Sequence, residues 1–174
     1  MKKALNPAIR PARPGDAGAV AAIYNHYIEW TTTTFEEERL SSEQLAARMV
    51  AVDRAGLPWL VAEHDGAVAG YAYATPWRER SAYRHSVEVS AYVAAERVGI
   101  GLGAGLYLAL IEQLAALGRH SLIGVVTLPN PASAAFHAKM GFVQVAHLKE
   151  VGFKFGRWLD VAYWQRLLTY TSKT

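Results

Sequence analysis

The 174-residue sequence contains no cysteine. That excludes disulfides, thiolate metal sites and a cysteine nucleophile, and it is compatible with a reducing cytosol. Long apolar runs are missing near the start. Met1-Lys2-Lys3-Ala4-Leu5 opens with basic residues, but Asn6, Pro7, Arg10, Arg13 and Asp16 interrupt before a hydrophobic stretch develops, so neither a signal peptide nor a membrane span is expected. The net charge is only +3, with a pI near 9.2 and no lysine or arginine tract, which argues against nucleic acid as a partner. The six histidines lack paired metal-ligand spacing, and no metal is expected. There is no internal repeat, low-complexity tract or linker. A soluble cytoplasmic protein is the simplest expectation.

What is present suits one domain spanning 1–174, since 52% of the residues are hydrophobic and the length supports a substantial core. Ala8 to Arg13 begins a strand. Val20, Ile23, Tyr27 and Ile28 line one face of a helix that starts after Pro14-Gly15-Asp16, and a second helix is expected over Ser42 to Arg54. Trp59–Glu63 and Val68–Ala74 flank an Asp65-Gly66 turn and should form an antiparallel hairpin. Ser86 to Val93 alternates and is rich in β-branched residues. Leu102, Leu106, Leu110, Leu114 and Leu117 then share a helical face. A strand over Leu122–Thr127, a short helix over Ala132–Lys139 and strands near Phe142–Glu150 and Trp158–Trp164 complete a mixed α/β pattern.

Between the Ser86–Val93 strand and the leucine helix lies Arg97-Val98-Gly99-Ile100-Gly101-Leu102-Gly103-Ala104-Gly105. Glycines there admit close approach and positive φ, and the first turn of a helix leaves N–H groups without partners, so the run suits a diphosphate. A nucleotide P-loop would need a Lys-Ser/Thr pair where Ala104-Gly105 stands. A Rossmann fingerprint fits loosely as Gly99, Gly101 and Ala104, but Leu128-Pro129-Asn130 replaces the acidic residue expected downstream. A plain tight connection is the default reading for a lone glycine turn.

Downstream, Asn130-Pro131-Ala132-Ser133-Ala134-Ala135-Phe136-His137-Ala138-Lys139-Met140-Gly141-Phe142 reads as a short helix closed by glycine. Paired with the glycine run, this Asn-x-x-Ser-x-x-Phe-His-x-x-x-Gly-Phe pattern resembles the GNAT superfamily of acetyl-coenzyme A-dependent N-acetyltransferases. Ile23-Tyr24-Asn25-His26, Thr33-Thr34-Phe35-Glu36, Pro76 to Arg84, Glu88, Gly152-Phe153-Lys154 and Trp158-Leu159-Asp160-Val161 narrow it to the phosphinothricin and methionine sulfoximine acetyltransferase branch. The likeness covers nearly the whole chain. It implies the GNAT fold, a mixed, mostly antiparallel central sheet flanked by helices (α/β, α+β), with acetyl-CoA as co-substrate, a small amino-acid acceptor and a homodimer. One departure stands out. Aligning the superfamily's Gln/Arg-x-x-Gly-x-Gly/Ala to Gly101 and Gly103 puts Val98 at the Gln/Arg position, with Arg97 one residue early.

The resemblance assigns acetyl-CoA to Tyr92, Val93, Arg97, Val98, Gly99, Ile100, Gly101, Leu102, Gly103, Ala104, Asn130 and Ser133. It assigns the general base to Glu88 and leaving-thiolate protonation to His137. From the residues alone, Glu88 is equally an ordinary polar-face glutamate, His137 a satisfied core histidine, and Asn130 and Ser133 helix-capping groups. The resemblance places the amino-acid substrate at Trp77, Arg78, Arg80 and Tyr83, where guanidinium forks match carboxylate and phosphinate oxygens. Composition alone reads the same loop as solvated and basic. Lys154, Trp158 and Asp160 are expected to complete the pocket or its dimer partner. Acetylation of another small amine or a peptide N-terminus, and a non-catalytic acetyl-CoA sensor, remain as alternatives.

Overall fold

Residues 8–169 are those the computed structural model describes; the basic Met1–Leu5 stretch, with its bearing on a leader segment, lies outside them. The strands are β1 (Ala8–Pro11), β2 (Trp59–His64), β3 (Ala67–Pro76), β4 (Ser86–Val93), β5 (Ser121–Leu128), β6 (Val143–Lys154) and β7 (Arg157–Leu167). The helices are α1 (Ala17–Trp30), α2 (Ser42–Arg54), α3 (Leu102–Ala116) and α4 (Pro131–Lys139). The seven strands form one sheet in the order β1-β2-β3-β4-β5-β7-β6. Only β4 and β5 run parallel; every other neighbouring pair is antiparallel.

Local chemistry sets these elements. Ser41 caps α2 by accepting from the Gln44 amide, while the Gln44 side chain accepts from the Ser41 amide, a reciprocal box that satisfies two orphan donors. The β2–β3 hairpin turns on Asp65 and Gly66, both at positive φ (53° and 78°), the conformation a two-residue hairpin requires. Asp16, just ahead of α1, accepts two hydrogen bonds from the Arg10 guanidinium and one from the Arg13 amide.

Helices cover both faces. Tyr71 and Tyr92, paired across β3 and β4, turn towards α1, where Tyr24 and Tyr27 each meet Tyr92 edge-on at 5.1 Å. Gly70, of opposite parity, faces α3: a Cβ there would lie 3.2 Å from Leu106. Leu102, Leu106, Leu110 and Leu114 are buried as expected, but α3 ends at Ala116 and leaves Leu117 50% exposed beyond the core stripe. β6 runs longer than its periodicity suggested, because two register shifts break the alternation, between Gln144 and Ala146 and between Leu148 and Gly152.

Candidate active site

The central feature is a fork. β4 and β5 pair only at Ser86↔Ser121, Val87↔Leu122 and Glu88↔Ile123. β4 nevertheless stays paired to β3 as far as Val93, and β5 to β7 as far as Leu128. Past Glu88 the two strands therefore present unpaired edges to each other, and such backbone groups require partners. The opening lies at the carboxyl ends of two parallel strands, where open sheets take ligands.

The glycine run closes the mouth of this fork. Gly99 and Gly101 sit at φ 87° and 93°, a region that favours glycine. The first bond of α3 runs from the Gly105 amide to the Gly101 carbonyl, so the amides of Leu102, Gly103 and Ala104 have no acceptor within the helix. Val98 is 64% exposed and Ile100 is also exposed, so neither side chain brings a polar group to the loop. The Arg97 guanidinium is paired with Asp65 at the tip of the β2–β3 hairpin, 3.1 Å away. Val93, the last residue of β4, contributes its carbonyl to the Tyr27 hydroxyl, which donates at 2.6 Å.

Glu88 stands at the vertex, level with Thr75 on β3 and Ile123 on β5. Its side chain shares the α1 face with Tyr73 and Tyr92. Burial pushes its carboxyl above the ordinary range, and the Arg78 charge draws it partly back. Tyr73 is stacked on Trp59 at 4.2 Å and lies opposite Ser90 on β4, and burial raises its phenol to about 12. A carboxylate in so dry a setting is a better proton acceptor than one in water.

His137 occupies the opposite face, packed on Gly124 and 7% exposed. Its Nδ1 lies 2.8 Å from the Ser133 carbonyl, which only accepts, so Nδ1 carries the proton. Nε2 is then the acceptor for the Tyr107 hydroxyl at 3.1 Å. Burial depresses the imidazole pKa and favours this neutral form. Both nitrogens are thus engaged within the protein. Tyr107 and Gly124 escaped the sequence reading. Tyr107 gave no signal inside a leucine-rich helix, whereas a glycine in the middle of an apolar strand does mark a close approach. Asn130 caps α4 by accepting from the Ser133 amide at 3.0 Å.

The arginine loop forms a cleft of about 990 Å³ at the start of β4, lined by Trp77, Arg78, Arg80, Tyr83 and Arg84 together with Arg119. Arg78 lies 4.7 Å over the Trp77 ring, which meets Tyr163 edge-on. Lys154, Trp158 and Asp160 do not line this cleft. Lys154 is buried against the segment between α1 and α2, Trp158 is 62% exposed, and Asp160 accepts from His147 and the Glu150 amide. Among the described residues, no group of three or more His, Cys, Asp or Glu is placed to hold a metal ion, and no helix is long and apolar enough to cross a membrane.

Comparison with known proteins gives a consistent answer. Residues 9–163 match the acetyltransferase (GNAT) domain family. The chain is 45% identical to a phosphinothricin N-acetyltransferase of Alcaligenes faecalis over 161 residues, 92% of this chain and 82% of that protein. It is 36% identical to an L-methionine sulfoximine/L-methionine sulfone acetyltransferase of Salmonella typhimurium over 157 residues, 90% and 92% of the two chains. A crystal structure of a phosphinothricin acetyltransferase from Sinorhizobium meliloti in complex with acetyl-CoA superposes with a TM-score of 0.92 at 37% identity, covering 98% of this chain and 92% of that one.

Proposed function

This chain belongs to the GNAT acetyltransferase family, and from that premise we propose that it acetylates the α-amino group of a small glutamate-like amino acid such as phosphinothricin, methionine sulfoximine or methionine sulfone. It is an N-acetyltransferase that uses acetyl-CoA, as the relative from Sinorhizobium meliloti does. The observation that carries the acceptor reading is the placement of Glu88, a carboxyl of raised pKa at the vertex of the β4–β5 fork, within electrostatic reach of Arg78.

In this reading the amides of Leu102 to Ala104 and the glycine loop grip the diphosphate of acetyl-CoA. The unpaired edges of β4 and β5 receive its amide-bearing arm, which delivers the thioester to Glu88. Arg78 and Arg80 hold the acid groups of the acceptor. Glu88 takes a proton from the acceptor ammonium and so exposes the lone pair, the nitrogen bonds to the acetyl carbonyl carbon, and as the carbon–sulfur bond breaks the second nitrogen proton passes to the departing thiolate. Transfer is direct within a ternary complex, since a chain without cysteine offers no acyl-thioester stage of its own. A thiolate is a far better leaving group than an alkoxide, because thiols are much stronger acids than alcohols. His137, engaged at both nitrogens, therefore serves better as a wedge under Gly124 than as an acid that must first release Tyr107.

The enzyme is proposed to work as a cytoplasmic homodimer. The support for pairing is the β6–β7 hairpin, whose Val143, Val145, Val151, Phe153 and Trp158 are all exposed on one edge of the sheet. The deciding experiment follows free-thiol release from acetyl-CoA across amino-acid analogues, polyamines and peptides, with Glu88→Gln alongside. Turnover confined to the amino-acid analogues, lowered by about two to four decades in the variant with acetyl-CoA affinity kept, is expected. Equal turnover of the variant removes Glu88 as base, and preference for peptides removes the substrate class.

A further inference from the structure

We infer that Lys154 is a positioning residue for the acetyl acceptor, pinning residues 31–41 over the sheet face that carries Glu88. This rests on the acceptor reading given under Proposed function and extends it to a residue that belongs to neither strand of the fork. Lys154 closes β6 and is 1% exposed, yet its Nζ does not enter an ion pair with a neighbour on its own strand. It donates to the Thr34 carbonyl at 2.8 Å, across 120 positions of sequence, and lies 5.0 Å from the Phe155 ring. Burying an ammonium costs free energy that an apolar side chain of the same length would not, so packing alone does not account for it. Burial does lower its pKa, with Glu37 and Glu36 drawing it back towards the charged form.

A second tie holds the same segment. A Cβ on Gly152 would stand 2.2 Å from Phe35 Cζ, so the Phe35 ring rests directly on the β6 backbone. Only a residue without a side chain permits that contact. The two motifs Thr33-Thr34-Phe35-Glu36 and Gly152-Phe153-Lys154 are thus the two halves of one clamp.

What the clamp holds reaches the site. The Thr34 and Tyr24 hydroxyls are hydrogen-bonded at 2.7 Å, and Tyr24 meets Tyr92 edge-on. Tyr73 lies within electrostatic reach of Tyr24, Arg48 and Glu88 together, and Arg48 pairs with Glu36. The segment therefore forms a wall above the base, on the side of the sheet opposite α3 and α4. A wall in that position sets where an acceptor amine sits and leaves the glycine loop untouched.

The test compares Lys154→Met and Gly152→Ala with the wild type by hydrogen exchange of residues 31–41 and by separate KM values for the acceptor and for acetyl-CoA. Lys154→Met keeps the side-chain length and removes the donor; Gly152→Ala lifts Phe35 without changing charge. Faster exchange in 31–41 and an acceptor KM raised about tenfold, the scale of one charge-assisted hydrogen bond, are expected, with the acetyl-CoA KM within about twofold. Unchanged exchange, a parallel rise of both KM values, or a lower melting temperature with neither KM moved overturns the inference. If Lys154→Met does not fold, Gly152→Ala decides alone. A wild type inert towards every amino-acid acceptor refutes the acceptor reading and the acceptor role of Lys154, while the exchange data still decide whether the clamp exists.

Discussion

A single methyl group at Gly124 should destabilise the vertex of the fork. A Cβ there would lie 2.5 Å from His137 Nε2 and 2.7 Å from Cδ2, closer than real Cβ atoms come, and 3.5 Å from the Tyr107 hydroxyl. The imidazole has nowhere to go. Tyr107, Phe136 and Phe142 meet it with ring centroids between 5.1 and 5.7 Å of one another or of it, Trp164 stands at 6.0 Å, and the Ser133 carbonyl holds Nδ1. Overpacking of a filled core costs about 1–3 kcal/mol. Displacing the ring also breaks the Tyr107 bond and leaves a buried phenol unpaired, a further cost of about 1–3 kcal/mol. Gly124→Ala is thus expected to lose about 3 kcal/mol, or roughly 6–12 °C of melting temperature for a chain of this size. The assay is a double-mutant cycle by denaturant or thermal unfolding. In a His137→Ala background the same methyl enters vacated space, and its cost should fall below about 0.5 kcal/mol. An equal cost in both backgrounds refutes the argument that His137 is wedged against this glycine.

Because the Glu88 carboxyl is raised by burial, kcat/KM should fall as pH drops through a pKa above the ordinary glutamate value, and Glu88→Gln should abolish that acid limb in a pH–rate profile. Arg78 draws the same pKa down, so Arg78→Ala should move the limb to higher pH and raise the acceptor KM. Asp16→Ala should cost about 2 kcal/mol in unfolding experiments, since it removes two charge-assisted hydrogen bonds while Glu63 still pairs with the Arg10 guanidinium. The Asp16 carboxyl is held below its usual pKa, chiefly by Arg10, so its contribution is full above the unfolded-state value and is lost as pH falls through the folded-state one; the variant should lose less stability on acidification. Charging the exposed hairpin face with Phe153→Glu and Trp158→Glu should convert the proposed dimer to monomers in sedimentation velocity; a wild type that sediments as a monomer refutes the dimer, and an unchanged dimer in the variant removes that face as its interface.

The elements were largely legible because their signals are local. Asp65 with Gly66 and the leucines of α3 each satisfy a rule that spans a turn or two of chain. The glycine loop was legible for the same reason, as a run able to take positive φ, and the structure places that conformation at Gly99 and Gly101. What stayed hidden depends on pairs far apart in sequence. No pattern near Lys154 announces that its partner is the Thr34 carbonyl, and none near His137 names the Tyr107 hydroxyl. Leu117 misled because helical periodicity continues past the point where the backbone leaves the helix. β6 misled in the other direction, since its bulges erase the alternation by which a strand is recognised.

Strand parity also decides how Glu88 and His137 relate. Ile123 is level with Glu88 in the register, so Gly124, one residue on, faces away from it, and His137 packs on that far side. The two residues flank the sheet from opposite faces at nearly the same height. A thioester brought into the fork between β4 and β5 would therefore meet Glu88, the proposed base, on the α1–α2 side and the imidazole on the α3–α4 side. On the proposed mechanism, proton removal belongs to the face against which Lys154 and Gly152 hold residues 31–41. The other face supplies rigidity at the vertex, and a glycine at position 124 is the condition for both to approach the same point.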